Sequence, residues 1–285
     1  MLNVYWKHAT AESIGPEHGL TPAELATVEQ QVTAAHAAVV AQAGRGELGY
    51  VKLPDHPDYA RQVHALAAKH RPNTTDLVVL GIGGSALGNI AVQQALNPAT
   101  YNLLSDAKRP GPRLFVLDNV DPALVDDTLK LLGRRLKSTL VNVISKSGET
   151  AETASQFLVV RELLRKRLGD GYAGRIVATT DAEEGTLHAI AAREGYDTLA
   201  VPGDVGGRFS VLSPVGLFSA AMCGIDIDAL LAGAAAMRDR CLQPGFRRNP
   251  ACVLAGVHHG LLAKGQGLHV MMPYSNRLYS LGDWY

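Results

Sequence analysis

Three cysteines in 285 residues, Cys223, Cys241 and Cys252, form neither a C-x-x-C pair nor an even, regularly spaced set. That argues against a disulfide framework and a cysteine-based zinc site, and fits a reducing compartment. Net charge is missing too: Lys+Arg and Asp+Glu both total 27. No global field draws the chain to nucleic acid or to an anionic membrane, so any anion specificity must be local. No apolar run reaches the ~18 residues that mark a membrane span. The first ten residues lack the apolar stretch of a secretory signal. The expectation is a cytoplasmic protein with no membrane or nucleic-acid partner.

What is present is enough apolar material, 47% of the residues, for one large or two ordinary domains. Thr21-Pro22-Ala23-Glu24 carries an N-cap candidate, proline at N1 and glutamate at N3, and predicts a helix to about Ala43. Leu25, Val28, Val32, Ala35 and Val39 share one face of it. A second helix spans 58–70. Strands and helices then alternate: strands at 77–80, 113–117, 140–144, 175–179 and 198–201, with helices between them, the last from about 182 to 194. Near-continuous apolar strands separated by helices predict an α/β fold, a doubly wound parallel sheet covered on both faces. After Pro202, helical patterns cover 213–222, 228–241 and 250–263, and Leu268 to Met272 reads as a strand. The domain expectation is a helical arm over 1–48, a first α/β domain over 49–202 and the opening part of a second over 203–285.

Three stretches carry chemistry. In the first, the β-branched run ending at Ile144 delivers Ser145-Lys146-Ser147-Gly148-Glu149-Thr150 to a helix start. Unpaired amides and a partial positive charge there suit a phosphate. Hydroxyls that merely cap the helix are the alternative. The second, Gly81-Ile82-Gly83-Gly84-Ser85-Ala86-Leu87-Gly88, also joins a strand to a helix. It satisfies G-x-G-x-x-A, but Asp118, which ends the next strand, lies too far on for the ribose acid of a dinucleotide site, expected ~20 residues away. A ligand-free tight turn is the other reading. If the first and third strands are neighbours, Ser85 and the 145–150 loop share one carboxyl edge. The third stretch is Gly206-Gly207-Arg208-Phe209-Ser210, whose guanidinium either grips an oxyanion or pairs with a carboxylate such as Asp204. His258 and His259 are adjacent, so on a helix they diverge and do not chelate one metal; Cys223 reads as core.

These three motifs, in this order, resemble the bacterial-type glucose-6-phosphate isomerase family, as does the Leu212-Ser213-Pro214-Val215-Gly216 run. The resemblance covers essentially the whole chain. It implies two sugar-isomerase (SIS) domains of flavodoxin-like fold and the interconversion of glucose 6-phosphate and fructose 6-phosphate, a step of glycolysis and gluconeogenesis, without metal or organic cofactor. By motif, Gly84, Ser85, Ser145, Lys146, Ser147 and Thr150 bind the substrate phosphate, and Arg208 stabilises the developing enediolate. The resemblance also implies a homodimer for the full-length protein. The family's proton-moving glutamate, ring-opening histidine and C-terminal lysine fall after Tyr285. The 285 residues thus read as an N-terminal portion, expected to be inactive alone. Two other readings stay open: a non-catalytic SIS-type phosphosugar sensor and a nicotinamide-dependent dehydrogenase. Use of mannose 6-phosphate also stays open.

Overall fold

A computed structural model describes residues 2–285. Its helices are α1 (Ala11–Ile14), α2 (Pro22–Arg45), α3 (Pro57–His70), α4 (Gly84–Leu96), α5 (Pro122–Leu132), α6 (Ala151–Leu168), α7 (Thr186–Glu194), α8 (Pro214–Met222), α9 (Ile227–Leu242), α10 (Pro250–Ala263) and α11 (Tyr279–Trp284). The strands are β1 (Asp76–Leu80), β2 (Arg113–Leu117), β3 (Thr139–Ile144), β4 (Ile176–Thr180) and β5 (Asp197–Ala200). Two units separate: one runs to Val51 and adds Ala232–Met271, the other is Lys52–Leu231 with Met272–Tyr285.

In the larger unit all five strands are parallel, in the order β2-β1-β3-β4-β5. Every residue of β1, β3 and β4 is buried, as expected for strands covered on both faces. Period-two alternation divides them. Leu77, Val79, Leu140, Ile144 and Val177 pack with α3 and α8 in one core. Val78, Leu80, Val141, Val143, Ile176 and Ala178 pack with α6 and α7 in the other. Each such fully buried Leu, Ile or Val contributes about 1.5–3 kcal/mol of burial free energy. The α/β expectation holds, with strand ends shifted by at most one residue.

Two local expectations do not hold. The helix expected from about 182 begins at Thr186. Asp181 Oδ1 instead accepts from the N–H groups of Glu183 (3.0 Å) and Glu184 (3.3 Å), and Gly185 at φ +99° breaks the path into the helix. The expected strand at 268–272 is irregular chain. A strand needs a hydrogen-bonding neighbour, and among the described residues no strand pairs with this segment. Leu268 is 95% exposed.

The smaller unit is helical. Leu20, Leu25, Val28, Phe246, Cys252, Val253 and Val257 form its core. Gly256 and Gly260 on α10 let the helix close on Phe246, Val28 and Leu20 where a Cβ would collide. The apolar face of α2 is buried only over its first turns; Val39 is exposed. Thr21 and Glu24 close a capping box: Glu24 N donates to Thr21 Oγ1 (3.3 Å) and Thr21 N to Glu24 Oε2 (2.8 Å). Lys264 lies 2.9 Å from the Glu24 carboxylate. The Thr21 amide, then Lys264, draw the Glu24 carboxyl down from 4.5 to about 2. A carboxyl depressed on folding stabilises the folded state above its unfolded value and loses that contribution as pH falls through the folded one. Thr21→Ala should cost about 1 kcal/mol in urea unfolding at pH 7, and Glu24→Gln should flatten the loss of stability between pH 4.5 and about 2.

Candidate functional site

The strand order reverses at β1, which lies between β2 and β3, and Leu80 pairs with Val143. Open α/β sheets bind ligands at the carboxyl edge beside such a switch. Here β1 runs into Gly81–Gly84 and α4, while β3 runs into Ser145–Thr150 and α6. Two helix N-termini therefore open from neighbouring strands, each with its partial positive charge.

The turn into α4 is built on glycine. Gly83, the N-cap, sits at φ +57°. At Gly84 a Cβ would collide with the Gly207 carbonyl and the Arg208 amide nitrogen. The Gly84 backbone thus lies directly on the arginine segment. Ser85 is half-buried in the first turn.

The 145–150 loop is anchored from behind. Ser145 N donates to Thr179 O (3.1 Å), Asp181 N to Lys146 O (3.0 Å) and Thr186 N to Ser147 O (3.0 Å). Thr180 Oγ1 also donates to Lys146 O (3.0 Å). Gly148, at φ +77°, has no room for a side chain against Leu187. Within the loop, Ser145 Oγ accepts from Gly148 N (3.1 Å) and donates to Thr150 Oγ1 at 3.4 Å; Ser147 Oγ accepts from Glu149 N (3.1 Å). Thr150 occupies the N-cap position of α6, yet its hydroxyl makes no capping hydrogen bond. Helix capping therefore does not account for this hydroxyl.

The arginine segment is a short 3-10 helix, Gly207–Leu212. Lys146 Nζ donates to Gly203 O (2.7 Å), tying the 145–150 loop to the segment before Arg208. Arg208 is exposed and, among the described residues, makes no ion pair with Asp204 or any other carboxylate. The fold thus brings Gly84 against Arg208, Lys146 against Gly203, and Ser145 beside Thr150. Ser85 is joined to the other hydroxyls through adjacent strands rather than by direct contact.

Sequence reasoning passed over Asn89 and gave Ser210, Ser213 and Ser219 no role of their own; all four are buried polar residues around this segment. The available signal was Asn89 itself, a polar residue one turn after Ser85 on α4. Cys223 is core as expected, with burial pushing its thiol up to about 12. In the smaller unit, His258 packs on His269 with ring centroids 4.3 Å apart, and His259 meets Gln31. Among the described residues no group of three or more His, Cys, Asp or Glu could hold a metal ion, and no helix is long and apolar enough to cross a membrane.

Comparison with known proteins follows the same lines. The phosphoglucose isomerase family model matches residues 62–285. The glucose-6-phosphate isomerase of Carboxydothermus hydrogenoformans is 42% identical over 284 residues, 99% of this chain and 60% of its own length. That of Rubrobacter xylanophilus is 43% identical over 272 residues, 94% of this chain and 61% of its own. A hypothetical protein from Thermus thermophilus superposes with a TM-score of 0.81 at 37% identity, covering 92% of this chain and 60% of that one. A glucose-6-phosphate isomerase from Chlamydia trachomatis gives 0.59 at 28% identity, over 70% and 36%. The chain spans about three fifths of the length of the curated relatives it matches. With a family model matching most of its length and two motif-bearing loops at one sheet edge beside an arginine turn, this chain belongs to the phosphoglucose isomerase family.

Proposed function

We propose that these residues form the phosphate-holding part of an aldose–ketose isomerase that interconverts glucose 6-phosphate and fructose 6-phosphate. The phosphate is held by the hydroxyls of Ser85, Ser145, Ser147 and Thr150, with the backbone of Gly84 and Lys146 assisting. Two helix N-termini favour the same dianion, so no basic surface is needed. Neutral net charge is consistent with that arrangement.

Isomerisation moves two protons, one from C2 to C1 and one from the C2 hydroxyl to the C1 oxygen. Removing the C2 hydrogen of the open-chain aldose as a proton leaves an enediolate, whose single negative charge the oxygens at C1 and C2 share as the hydroxyl proton passes between them. Protonation at C1 then gives the ketose. A fixed cation facing those oxygens stabilises charge that develops only in the transition state, which is what lowers the barrier. Arg208 takes that role. The observation that supports this reading most is the close packing of Gly84 on the Gly207 carbonyl and Arg208 amide, which puts the guanidinium-bearing turn beside the first phosphate loop. The proton-transferring base is assigned to none of these residues. A homodimer is proposed for the full-length protein, by family likeness.

Calorimetric titration of this chain with fructose 6-phosphate should give saturable binding. Ser85→Ala and Thr150→Ala should each weaken it roughly ten- to a hundredfold, the worth of one hydrogen bond to a charged group. Full affinity in both variants would sink the assignment. In a coupled assay, isomerisation by these 285 residues alone should stay at background, because a general base contributes about 10²–10⁴-fold. Robust turnover would show that the base lies within them.

A further inference from the structure

A run of buried serines ties the arginine turn into the fold. Ser210 Oγ donates to Gly207 O (2.7 Å), the same carbonyl that occupies the space a Gly84 side chain would need. Ser213 Oγ donates to Ser210 O (2.6 Å) and, as the N-cap of α8, accepts from Val215 N (3.3 Å). All nine residues of α8 are buried. From this helix Ser219 Oγ donates to Asn89 Oδ1 and also lies 3.3 Å from Gly216 O. Asn89, 1% exposed, completes the circuit: its Nδ2 donates to Ser85 O (2.8 Å). Immediately before Asn89, Gly88 leaves no room for a Cβ against Val211, so α4 and the 3-10 helix touch at two successive turns of α4. Ser85 and Arg208 are thus joined twice, by the Gly84–Gly207 packing and by Asn89 through Ser219, α8, Ser213 and Ser210.

We infer that Asn89 and Ser219 are positioning residues that hold the Arg208 turn at a fixed place relative to Ser85. The inference rests on the phosphosugar reading above. Neither side chain needs to reach a ligand. Their hydrogen bonds are enclosed, and a buried donor or acceptor left unpaired disfavours any other arrangement. A phosphate alone needs the hydroxyl loops. A sugar phosphate also needs the guanidinium at the carbon end. Loss of the Asn89–Ser219 link should therefore act on the second ligand and spare the first.

Ser219→Ala is the better variant because it removes one hydroxyl from a well-packed helix; Asn89→Ala is its companion. Expected in calorimetric titration is a roughly three- to tenfold loss of affinity for fructose 6-phosphate, the effect of about one hydrogen bond. Inorganic phosphate should bind within about twofold of wild type. The loss should vanish in the Ser219→Ala/Arg208→Ala double variant, since coupled sites are non-additive. Amide exchange at 206–210 in the ligand-free chain should quicken in Ser219→Ala. Equal losses for both ligands, full additivity with Arg208→Ala, or unchanged exchange at 206–210 would each overturn the inference. If wild type binds neither ligand, the phosphosugar reading fails, while the exchange measurement still decides whether Ser219 holds the turn.

Discussion

At Gly84 a single methyl group has nowhere to go: the Gly207 carbonyl and the Arg208 amide already fill the place. The arrangement of the proposed site depends on that contact. It brings a loop that follows β1 against a turn more than a hundred residues later in the chain, with no side chain between them to yield or re-pack. Glycine is required here for space rather than for torsion, whereas the neighbouring Gly83 is needed for its φ of +57°. Two adjacent glycines thus solve two different problems, one turning the chain and the other admitting a second backbone.

The parallel sheet supplies the remaining convergence. Because β1 pairs with β3, the loops after both strands leave the same edge side by side, and α4 and α6 start there. Each helix start contributes about half a positive charge. The loop after β3 is pinned through its carbonyls to Thr180, Asp181 and Thr186. Fastening the loop in this way fixes its shape, and the Ser147 and Thr150 hydroxyls, which within the loop act as acceptors, keep their protons for an anion. Lys146 commits its ammonium to Gly203 O, so in this arrangement its charge serves to hold the third loop near the first two.

Much of this was legible from residue order. β3 and the start of α6 follow from an apolar run that stops at hydroxyls and glycine. The start of α2 follows from its capping box and the 250–263 helix from its helical pattern; the structure adds the cap, Asn249 Oδ1 accepting from Ala251 N and Cys252 N. What failed to read correctly failed for physical causes. Leu268 to Met272 has strand propensity, but propensity makes no strand without a neighbour to pair with. The acidic 182–184 stretch suits a helix start, yet the Asp181 side chain captured those amides first. Val39 matches a helical face, but a face is buried only where something covers it. In the site, each motif announced its own loop, and the pairing of β1 with β3 was a topological expectation. The pairing of Asn89 with Ser219 was illegible because it joins positions 130 residues apart.

That last case bears on why polar groups are found inside this unit at all. Apolar packing of α8 against the sheet would suffice to bury it, and Leu217, Phe218 and Met222 already do so. Apolar contacts are non-directional, however, and tolerate small slides of one helix along another. The hydroxyl bonds of Ser213 and Ser219 are directional and enclosed, so sliding α8 would break both at once. The gain from such a ladder is specificity of position rather than net stability, since each buried hydrogen bond is worth only about 1 kcal/mol over its hydrated alternative. The place where position matters most in the proposed chemistry is the distance between a phosphate at one end of a hexose and a guanidinium at the other, and the ladder runs from the helix that carries Ser85 to the turn that carries Arg208.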